Sequence, residues 1–408
     1  MKPSADRSPR VPLAALGAHC VHHLTQVADA AGGRAWLVGG AVRDLLLGRE
    51  VGDIDVVVEA DARTVAGHLP VRITRHSTFR TVVIAWPDGR EWDLVSARRE
   101  RYPHPGALPV IARATLADDL ARRDFALNAL AADLAAARWG RLVDPGGALA
   151  DLRSRRLRVL HDASFRDDPT RLFRLLRYAA GLRLKIEEQT ARYFTAALET
   201  DALDTISADR VRAELERSLS RDDAPAQARR LLASGLAAAV HPGFVMHARR
   251  LAHTRRLLAD VGNGLQRWLV WLAACVADEA LETVASRLNL EGSARRVLET
   301  LARRAALPRP RTASAMAAWL DGLPVETALA VAARRPALAD DVLRYLREWR
   351  YVTPHLSGHD VLAMGCPRGP RVGRVLEALR AARLDGTALT VDDERALAAA
   401  LLARDDHD

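Results

Sequence analysis

Cysteine is scarce in this chain: only three occur among 408 residues, and Cys20, Cys275 and Cys366 lie far apart. Their number and spacing exclude a disulfide framework and a zinc knuckle, so we expect each to be a small buried residue. Long apolar runs are also absent, since no segment approaches the ~20 residues needed to span a bilayer. No secretory signal with a cleavage site is recognisable. These absences favour a cytoplasmic protein.

Aromatic residues make up only 5% of the chain, whereas alanine and leucine are abundant and favour helices. Basic residues, nearly all of them arginine, exceed acidic ones by 60 to 51, which gives a net charge of +9. Such an excess is typical of proteins that bind a polyanion such as RNA, although a general bias of the proteome toward arginine would also produce it. The length exceeds that of one ordinary core and predicts two or more domains.

Strand patterns are concentrated in the first part of the chain. Apolar and alternating stretches predict strands at residues 35–38, 53–59, 71–74, 81–86 and 91–96, with a short one at 141–144. The sequence Pro-Asp-Gly-Arg at 87–90 predicts a hairpin turn. Residues 98–114, rich in proline and arginine, are predicted to form a loop, and helix is predicted to resume at Leu116.

Helical patterns dominate from Asp151 onward, where apolar residues recur three and four positions apart, as amphipathic helices require. We therefore predict an α+β fold: a head with a small mixed sheet and helices, followed by an all-α remainder. The predicted domains are the head at 1–150, a helical neck at 151–220, a helical body at 221–350 and a helical tail at 351–408.

The segment from residue 36 to 55 predicts a site for a metal and a nucleotide. An apolar strand runs into Gly39 and Gly40, which open a helix and let the backbone approach an anion such as a triphosphate. Asp53 and Asp55, two apart on the next strand, point to one face and can chelate the same divalent ions. Asp93, on a neighbouring strand, would add a hard oxygen ligand suited to Mg²⁺. An Asp-x-Asp pair alone is more often a solvated strand edge, but its spacing after the glycines favours metal-dependent chemistry on a nucleotide.

Positive charge for the phosphates is predicted at two places. Arg43 lies one turn into the helix after the glycines, where it can reach a phosphate or pair with the neighbouring aspartate. In the segment 119–128, Arg122 and Arg123 would supply charge to the triphosphate. Asp124 and Asn128, four apart, would share one helix face and contact the ribose or order the site. The alternative for this segment is an ordinary solvated helix start.

A third cluster, at residues 166–177, predicts base selection. Asp168 and Arg171 are three apart and share a helix face, so they form either a weak surface ion pair or a recognition pair. A carboxylate accepts from an exocyclic amine and a guanidinium donates to a ring nitrogen or carbonyl, an arrangement that cytosine and adenine both satisfy. Uracil and guanine would leave buried polar groups unpaired, at a cost of ~1–3 kcal/mol each. Arg174 and Arg177 of the same cluster complete the predicted nucleotide-binding set.

These motifs, taken in order, resemble one known family. The segments LVGGAVRDLLLG, DIDVVV, DDLARRDFALNAL, VDPGGALADLRSRRLRVL and RDDPTRLFRLLRYAAGL are similar to those of class II tRNA nucleotidyltransferases and bacterial poly(A) polymerases, the CCA-adding enzymes and their relatives. The resemblance implies a polymerase-β-type head, then a helical neck, body and tail that bind the tRNA acceptor arm. It also implies CTP and ATP as substrates, Mg²⁺ as cofactor and release of pyrophosphate, with Asp53 and Asp55 as catalytic carboxylates and Asp168 with Arg171 as the base-selecting pair.

The chain departs from the family pattern at several positions. Asp167-Asp168 stands where the family usually has Glu-Asp before the selecting arginine. Ala126 stands where a hydroxyl residue is usual, and the segment 77–81 lacks a customary glycine. None of these changes removes a predicted metal ligand. The product therefore stays open among CCA, CC alone, the terminal A alone and a poly(A) tail, with a non-catalytic RNA-binding protein and a small-molecule nucleotidyltransferase as further alternatives.

Overall fold

The structure is a computed structural model that describes residues 9–259, 261, 264–305 and 309–404. The chain divides into two compact units, residues 1–214 and 215–408. The first eight residues of the predicted head and the last four of the predicted tail lie outside the described residues.

The first unit contains every strand among the described residues. The strands are β1 (Ala35–Val38), β2 (Asp55–Val58), β3 (Arg72–His76), β4 (Thr81–Ala85), β5 (Glu91–Ser96), β6 (Arg98–Arg101), β7 (Val110–Arg113), β8 (Ala131–Asp133), β9 (Leu142–Val143), β10 (Arg156–Leu157) and β11 (Lys185–Ile186). The helices are α1 (Ala18–Ala30), α2 (Gly40–Leu46), α3 (Ala62–Ala66), α4 (Leu116–Ala121), α5 (Ala148–Arg153), α6 (Ser164–Asp167), α7 (Thr170–Gly181), α8 (Glu188–Glu199) and α9 (Ala208–Leu219), in which the boundary between the units falls.

Seven of these strands form one mixed sheet in the order β3-β4-β5-β2-β1-β8-β9. Its centre is the parallel pair β2 and β5, and its other pairings are antiparallel. Both β1 and the Val-Val-Val of β2 are buried, as β-branched and apolar residues favour. Trp36, Val38 and Val57 pack with Leu120 and Ala131 in one core cluster. This core holds β2 in place, and the predicted carboxylates Asp53 and Asp55 lie at the start of that strand.

The second unit is helical throughout its described residues. Its helices are α10 (Ala224–Ala233), α11 (Leu236–Val240), α12 (Ala248–Ala259), α13 (Arg267–Cys275), α14 (Leu281–Arg287), α15 (Gly292–Ala305), α16 (Ala313–Leu320), α17 (Val325–Arg334), α18 (Ala339–Arg347), α19 (Gly358–Ala363), α20 (Pro370–Leu384) and α21 (Val391–Arg404). Near its end, Val361, Val375, Leu379 and Ala398 form a core cluster. Apolar residues at helical spacing thus bury one face of these last helices.

The predicted α+β fold is confirmed, and β1 and β5 begin and end at the predicted residues. The turn at 87–90 joins β4 to β5 as predicted. All three cysteines are buried and free, which confirms the expectation for them. None of the described helices combines the length and apolar character that crossing a membrane requires.

Two predictions of local structure were wrong. Residues 98–114 are not a plain loop, because β6 and β7 pair there as an antiparallel hairpin. The helix predicted from Leu116 ends at Ala121; a 3₁₀ turn follows at Ala126–Asn128, and then β8 pairs with β1. The alanine- and leucine-rich run around β8 has few polar positions from which a period can be read, so burial beside β1 decides for strand.

Candidate active site

One cavity of about 650 Å³ in the first unit brings nearly all predicted site residues together. The glycines and Arg43 come from the β1–α2 bend and α2, and the carboxylates from β5 and the start of β2. The remaining residues come from the segment after α4 and from the start of α7 and the residues just before it. The predicted residues that line it are Gly39, Gly40, Arg43, Asp53, Asp55, Asp93, Arg122, Arg123, Asp124, Asn128, Asp168, Arg171 and Arg174. Arg177 is the exception: it pairs with Glu214 and is not among the described residues that line the cavity.

Two of the three carboxylates lie on the two central strands, and the third lies just before one of them. Asp55 is the first residue of β2 and is in register with Asp93 on β5. Asp53 is exposed and precedes the strand, separated from Asp55 by the buried Ile54, whose carbonyl accepts from the amide of Asp93 at 2.9 Å. The predicted strand thus begins two residues later than expected, but both aspartates still line the cavity.

The electrostatics of these carboxylates favour a cation. Burial raises the pKa of Asp55 to about 6; Arg123 lowers it, and the charges of Asp93 and Asp53 raise it further. Burial also raises the pKa of Asp93, with Asp53 adding to the effect and Arg75 opposing it. Crowded, partly desolvated carboxylates resist ionisation unless a positive charge is near. A bound divalent cation would provide that charge.

The glycine bend needs a residue without a side chain. Gly39 has φ +69°, in the region that favours glycine, and a Cβ there would lie 2.7 Å from Nη1 of Arg123. The amide of Gly39 donates to the carbonyl of Leu130 at 2.9 Å, so the bend is joined to the chain just before β8. The absence of a side chain lets Arg123 lie directly against the backbone at the start of α2.

Arg43 makes the predicted pair with its neighbouring aspartate and also lines the cavity. It bonds to Asp44 through Nε and Nη2, at 2.9 and 2.8 Å, and donates through Nη1 to Oδ1 of Asn128 at 2.8 Å. Its guanidinium also lies 5.5 Å from the ring centre of Tyr178. Although buried and paired with its neighbour, it faces the cavity, where a phosphate would find it already oriented.

Arg122 and Arg123 are both oriented by one buried acid, Asp119. Arg122 donates to Asp119 Oδ1 at 2.6 Å and to Glu100 on β6 at 2.9 Å. Arg123 donates to Asp119 Oδ2 at 3.1 Å and to the carbonyl of Asn128 at 3.2 Å. The segment is therefore not a solvated helix start, since its cations are ordered at the cavity wall.

Asp124 and Asn128 are in contact, but not for the predicted reason. The segment is a 3₁₀ turn rather than an α-helix, and yet Asn128 Nδ2 donates to Asp124 Oδ1 at 3.0 Å. Arg174 donates to the other oxygen of Asp124 at 2.8 Å. The charge of Asp124 raises the pKa of Arg174 well above its usual range, although burial opposes this. Asp124 thus links the 3₁₀ turn to α7 across the cavity.

The side chains of Asp168 and Arg171 both line the cavity but are not bonded to each other among the described contacts. Asp168 precedes α7 and caps it through the amide of Thr170 at 3.1 Å. Arg171 is buried and donates to Ser164 Oγ at 2.8 Å and to the carbonyl of Arg122 at 2.9 Å. A surface ion pair is therefore not what these residues form, and both face the same cavity.

Comparison with known proteins identifies the family. Residues 35–158 match the model of the poly A polymerase head domain, and residues 183–246 match that of a probable RNA and SrmB-binding site of polymerase A. A CC-adding tRNA nucleotidyltransferase of Deinococcus radiodurans is 36% identical over 365 residues, which cover 88% of this chain and 87% of that protein. The chain belongs to the tRNA nucleotidyltransferase family. The resemblance read from the ordered motifs is thereby confirmed.

Two further family members extend the comparison. An A-adding tRNA nucleotidyltransferase of Geobacter sulfurreducens is 35% identical over 396 residues, which cover 90% of this chain but only 45% of that protein. The solved structure of the Thermotoga maritima CCA-adding enzyme complexed with tRNA is 26% identical, with a TM-score of 0.76 and 95% of both chains covered. Relatives of nearly equal identity thus carry names for different products.

The carboxylates that line the cavity of this family member fit a divalent metal in part. Among the described residues, no three His, Cys, Asp or Glu side chains are already gathered as a closed metal site. Mg²⁺ is commonly bound by one or two carboxylates together with waters and substrate phosphates, so a closed protein cage is not required. Asp55 and Asp93, in register on neighbouring strands beside the cationic wall of the cavity, match that more open arrangement, and Asp53 lines the same cavity.

Several residues that line the cavity of this family member were not predicted from its sequence. Phe79, Arg98, Glu100 and Tyr102 all line the cavity, and they come from the segments on either side of β5. Arg98 donates to the carbonyl of Phe79 and lies 5.9 Å from its ring centre. The run Arg-Arg-Glu-Arg-Tyr at 98–102 was the available signal, because every second residue carries a polar group toward one face of a strand.

The glycine missing from residues 77–81 has a visible consequence. Arg80 adopts φ +58°, a conformation that favours glycine and that side chains rarely take. Its carbonyl nevertheless accepts from the amide of Ser96 at 3.0 Å, so the turn keeps its place beside β5.

Proposed function

We propose that this chain adds C, A or the CCA sequence to the 3′ end of tRNA, using CTP and ATP without a template and releasing pyrophosphate. The observation that carries the proposal is the gathering of the carboxylates, the ordered arginines and the Asp168/Arg171 pair in one cavity of a chain of this family. The names of the two relatives, A-adding and CC-adding, support C and A as the nucleotides. The tRNA complex of the Thermotoga maritima relative supports tRNA as the acceptor.

The carboxylates are proposed as the catalytic group. Asp53, Asp55 and Asp93 would bind Mg²⁺, which when bound promotes ionisation of the attacking hydroxyl and neutralises the leaving pyrophosphate. The RNA 3′ oxygen then bonds to the α-phosphorus, the bond to pyrophosphate breaks, and the hydroxyl proton is lost. Asp55 and Asp93 are in register on neighbouring strands and Asp53 precedes the first of them, so ligands for both ends of this exchange would lie on one wall.

The arginines are proposed to bind and orient the triphosphate. Arg43, Arg122 and Arg123 are each ordered by a carboxylate or an amide oxygen, so little side-chain entropy is lost when a phosphate binds. Gly39 and Gly40 allow the phosphates to approach the backbone at the start of α2. Asp124, Asn128 and Arg174 would order this wall and contact the ribose. Arg177 contacts Glu214 instead, and its predicted role in binding remains untested.

Base selection is proposed to depend on Asp168 and Arg171. The amine of cytosine or adenine would donate to Asp168, and Arg171 would donate to the adjoining ring nitrogen or carbonyl. Arg171 is fixed by Ser164 and by the carbonyl of Arg122, so it cannot move away to accommodate a base of the wrong pattern at low cost. UTP and GTP would then be rejected because they place a carbonyl opposite the carboxylate.

Replacing Arg171 by alanine should reduce the preference for CTP and ATP over UTP and GTP by about 10-fold or more, since hydrogen bonds to charged groups contribute ~1.5–3 kcal/mol. The measurement is single-nucleotide incorporation with each of the four triphosphates. Arg171→Lys is the matched control: it keeps the charge but cannot make both fixed contacts. An unchanged preference in Arg171→Ala would remove this residue from base selection.

The RNA partner is proposed to contact the helical part of the chain. A-form RNA is recognised mainly by its phosphates, 2′-hydroxyls and shape, for which arginine-rich helix faces are suited. The net charge of +9 is consistent with that partner. We propose the head at 1–150, neck at 151–220, body at 221–350 and tail at 351–408 as functional segments, with RNA binding by the tail. A cytoplasmic location follows from the proposed substrates.

The product is decided by sequencing the 3′ ends formed on truncated tRNA. Transcripts that end before CCA, transcripts that end in CC and a generic RNA are each supplied with all four triphosphates and Mg²⁺. Addition of C and A only to the tRNAs supports the proposal, and the sequence added separates a CCA-adding enzyme from a CC-adding or an A-adding one. Long A tails on generic RNA would instead indicate a poly(A) polymerase, and no addition to any RNA would contradict the proposal.

A further inference from the structure

Arg210 makes two hydrogen bonds that connect distant parts of the first unit. From α9, its Nη2 donates to Asp168 Oδ1 at 2.8 Å, and its Nη1 donates to the carbonyl of Gly106 at 2.7 Å. Asp168 is the proposed base-selecting acid, and Gly106 lies at the tip of the β6–β7 hairpin. One half-buried guanidinium therefore joins the hairpin tip to the selecting carboxylate, at the wall of the cavity.

At the hairpin tip, Gly106 lies where only glycine fits. Gly106 has φ +68°, and its amide donates to the carbonyl of Arg166 at 3.1 Å. A Cβ at this position would lie 2.1 Å from Thr205 Oγ1 and 2.7 Å from the Thr205 carbonyl oxygen. Real Cβ atoms do not approach backbone oxygen so closely, so a larger residue at position 106 must shift the hairpin tip against the segment that leads into α9, the helix that carries Arg210.

Among the described residues, the hydrogen bonds to the carboxylate of Asp168 are all on one of its two oxygens. Oδ1 accepts from the amide of Thr170 at 3.1 Å, from Thr170 Oγ1 at 2.6 Å and from Arg210 at 2.8 Å. Oδ2 has no hydrogen-bond partner among the described residues. Three donors on Oδ1 fix the rotation of the carboxylate, and Oδ2 retains its capacity to accept.

We infer that Arg210 is a positioning residue for base selection, which orients Asp168 so that Oδ2 accepts from the amine of the incoming base, and which depends on the seating of Gly106. This inference rests on the proposed function of the cavity. Glu100, Tyr102, Leu108 and Pro109 of the same hairpin segment line the cavity, so a displaced tip would also alter the wall beside the base. Arg210 itself acts through Asp168.

The first test compares Arg210→Met with Arg210→Lys. The methionine removes both bonds, whereas the lysine keeps the charge and can donate to Asp168 but cannot match the two-pronged geometry. We expect the ratio of CTP to UTP affinity, measured by equilibrium binding with Mg²⁺, to fall about 10-fold in Arg210→Met and less in Arg210→Lys. In incorporation assays the KM for tRNA should not change. Arg212→Ala, which alters an ion pair with Asp209 on the same helix, is the control and should keep the wild-type ratio.

The second test uses two glycines that share a positive φ but differ in surroundings. Gly106→Ala should lower the CTP to UTP ratio as Arg210→Met does. Gly89→Ala should not, because Gly89 has φ +85° and no heavy atom within 4 Å of the position of its Cβ. If both act through one contact, the double variant Gly106→Ala/Arg210→Met should show no greater loss than the worse single variant.

The outcomes separate this inference from the proposed function. If the wild type prefers CTP to UTP and the Arg210 and Gly106 variants keep that preference, or lose affinity for both nucleotides equally, Arg210 is merely structural and the inference is wrong. Additive losses in the double variant would also overturn it. Failure of the wild type to extend any tRNA would contradict the proposed function, while the binding ratios would still decide the role of Arg210.

Discussion

Replacing Asp53 or Asp55 by asparagine should lower nucleotide incorporation by about 10³-fold or more, because loss of a metal ligand removes several kcal/mol of transition-state stabilisation. Binding of tRNA should change little, since these side chains lie on the cavity wall and the proposed RNA surface is on the helical part. Asparagine keeps the size of the side chain and one oxygen. The comparison therefore removes charge without opening a cavity in the sheet.

Replacing Asp55 by asparagine should lower activity but should not lower the stability of the folded protein. Burial raises the pKa of Asp55 to about 6, so without a cation the folded state binds a proton more readily than the unfolded chain. A raised carboxyl pKa means that folding becomes less favourable as the pH rises toward 6 and above. Asp55→Asn should consequently unfold at the same temperature as the wild type or at a higher one, at pH 7 in the absence of divalent ions.

The measurement combines single-turnover incorporation, tRNA binding and thermal unfolding of the same preparations. Glu50→Gln is a suitable control, because Glu50 is an exposed acid a few residues before Asp53 and is not among the residues that line the cavity. It should keep wild-type activity. Full activity in Asp53→Asn or Asp55→Asn would contradict the assignment of these carboxylates as catalytic.

The residues that the sequence placed correctly in the cavity come from short segments with a local signal. Gly39 and Gly40 follow an apolar strand, and Asp53 and Asp55 straddle a buried isoleucine, so one window of sequence shows their relation. Placing Asp93 beside them also required the pairing of β5 with β2. β5 alternates buried with exposed or half-buried residues, whereas β2 is a continuous apolar run after its first residue, and both patterns favour strands, at whose pairing Asp55 and Asp93 meet.

The β6–β7 hairpin was missed because its strands do not alternate apolar with polar residues. Arg98 and Glu100 are the residues of β6 that point inward, and their side chains are only 12% and 7% exposed. An ion network with Arg122 buries them, and such burial leaves no hydrophobic pattern to read. Proline and glycine in the same segment favour a loop, so tertiary contacts overrode the local signal.

Contacts between segments that are distant in the sequence could not be predicted from it either. Arg210 is 42 residues from Asp168 and 104 from Gly106, and no spacing rule joins them. The contact of Asp124 with Asn128 shows the reverse case, in which the correct pair was inferred from the wrong geometry. A separation of four residues also brings side chains together across a 3₁₀ turn, so that spacing alone did not identify the helix.

Replacing Asp124 by asparagine should lower the free energy of unfolding by about 2–3 kcal/mol, because it removes the charge that pairs with Arg174 and leaves bonded donors short of an acceptor. Asp124 is only 7% exposed and accepts from Asn128 at 3.0 Å, from the amide of Phe125 at 2.9 Å and from Arg174 at 2.8 Å. The expected loss is smaller than for a fully buried ion pair, because the side chain of Arg174 is 34% exposed and water can solvate it in part.

The pH dependence of this loss has a definite sign. Burial alone would raise the pKa of Asp124, but Arg174, the hydrogen bond from Asn128 and the charge of Arg171 together hold it below its usual value. A depressed carboxyl pKa stabilises the folded state at every pH above the unfolded value of ~3.9, and the contribution disappears as the pH falls through the folded pKa. The difference in stability between the wild type and Asp124→Asn should therefore be complete at pH 7 and 5.5 and should shrink below about pH 4.

Urea unfolding of both proteins at pH 7, 5.5, 4 and 3.5, followed by a probe in the first unit, measures this difference. Glu188→Gln is the control, because it removes an exposed pair with Arg192 that should contribute no more than ~0.5 kcal/mol at any pH. If Asp124→Asn is as stable at pH 7 as Glu188→Gln, then Asp124 does not stabilise the link between the 3₁₀ turn and α7. A difference that grows on acidification would instead mean that burial, rather than Arg174, dominates the pKa of Asp124.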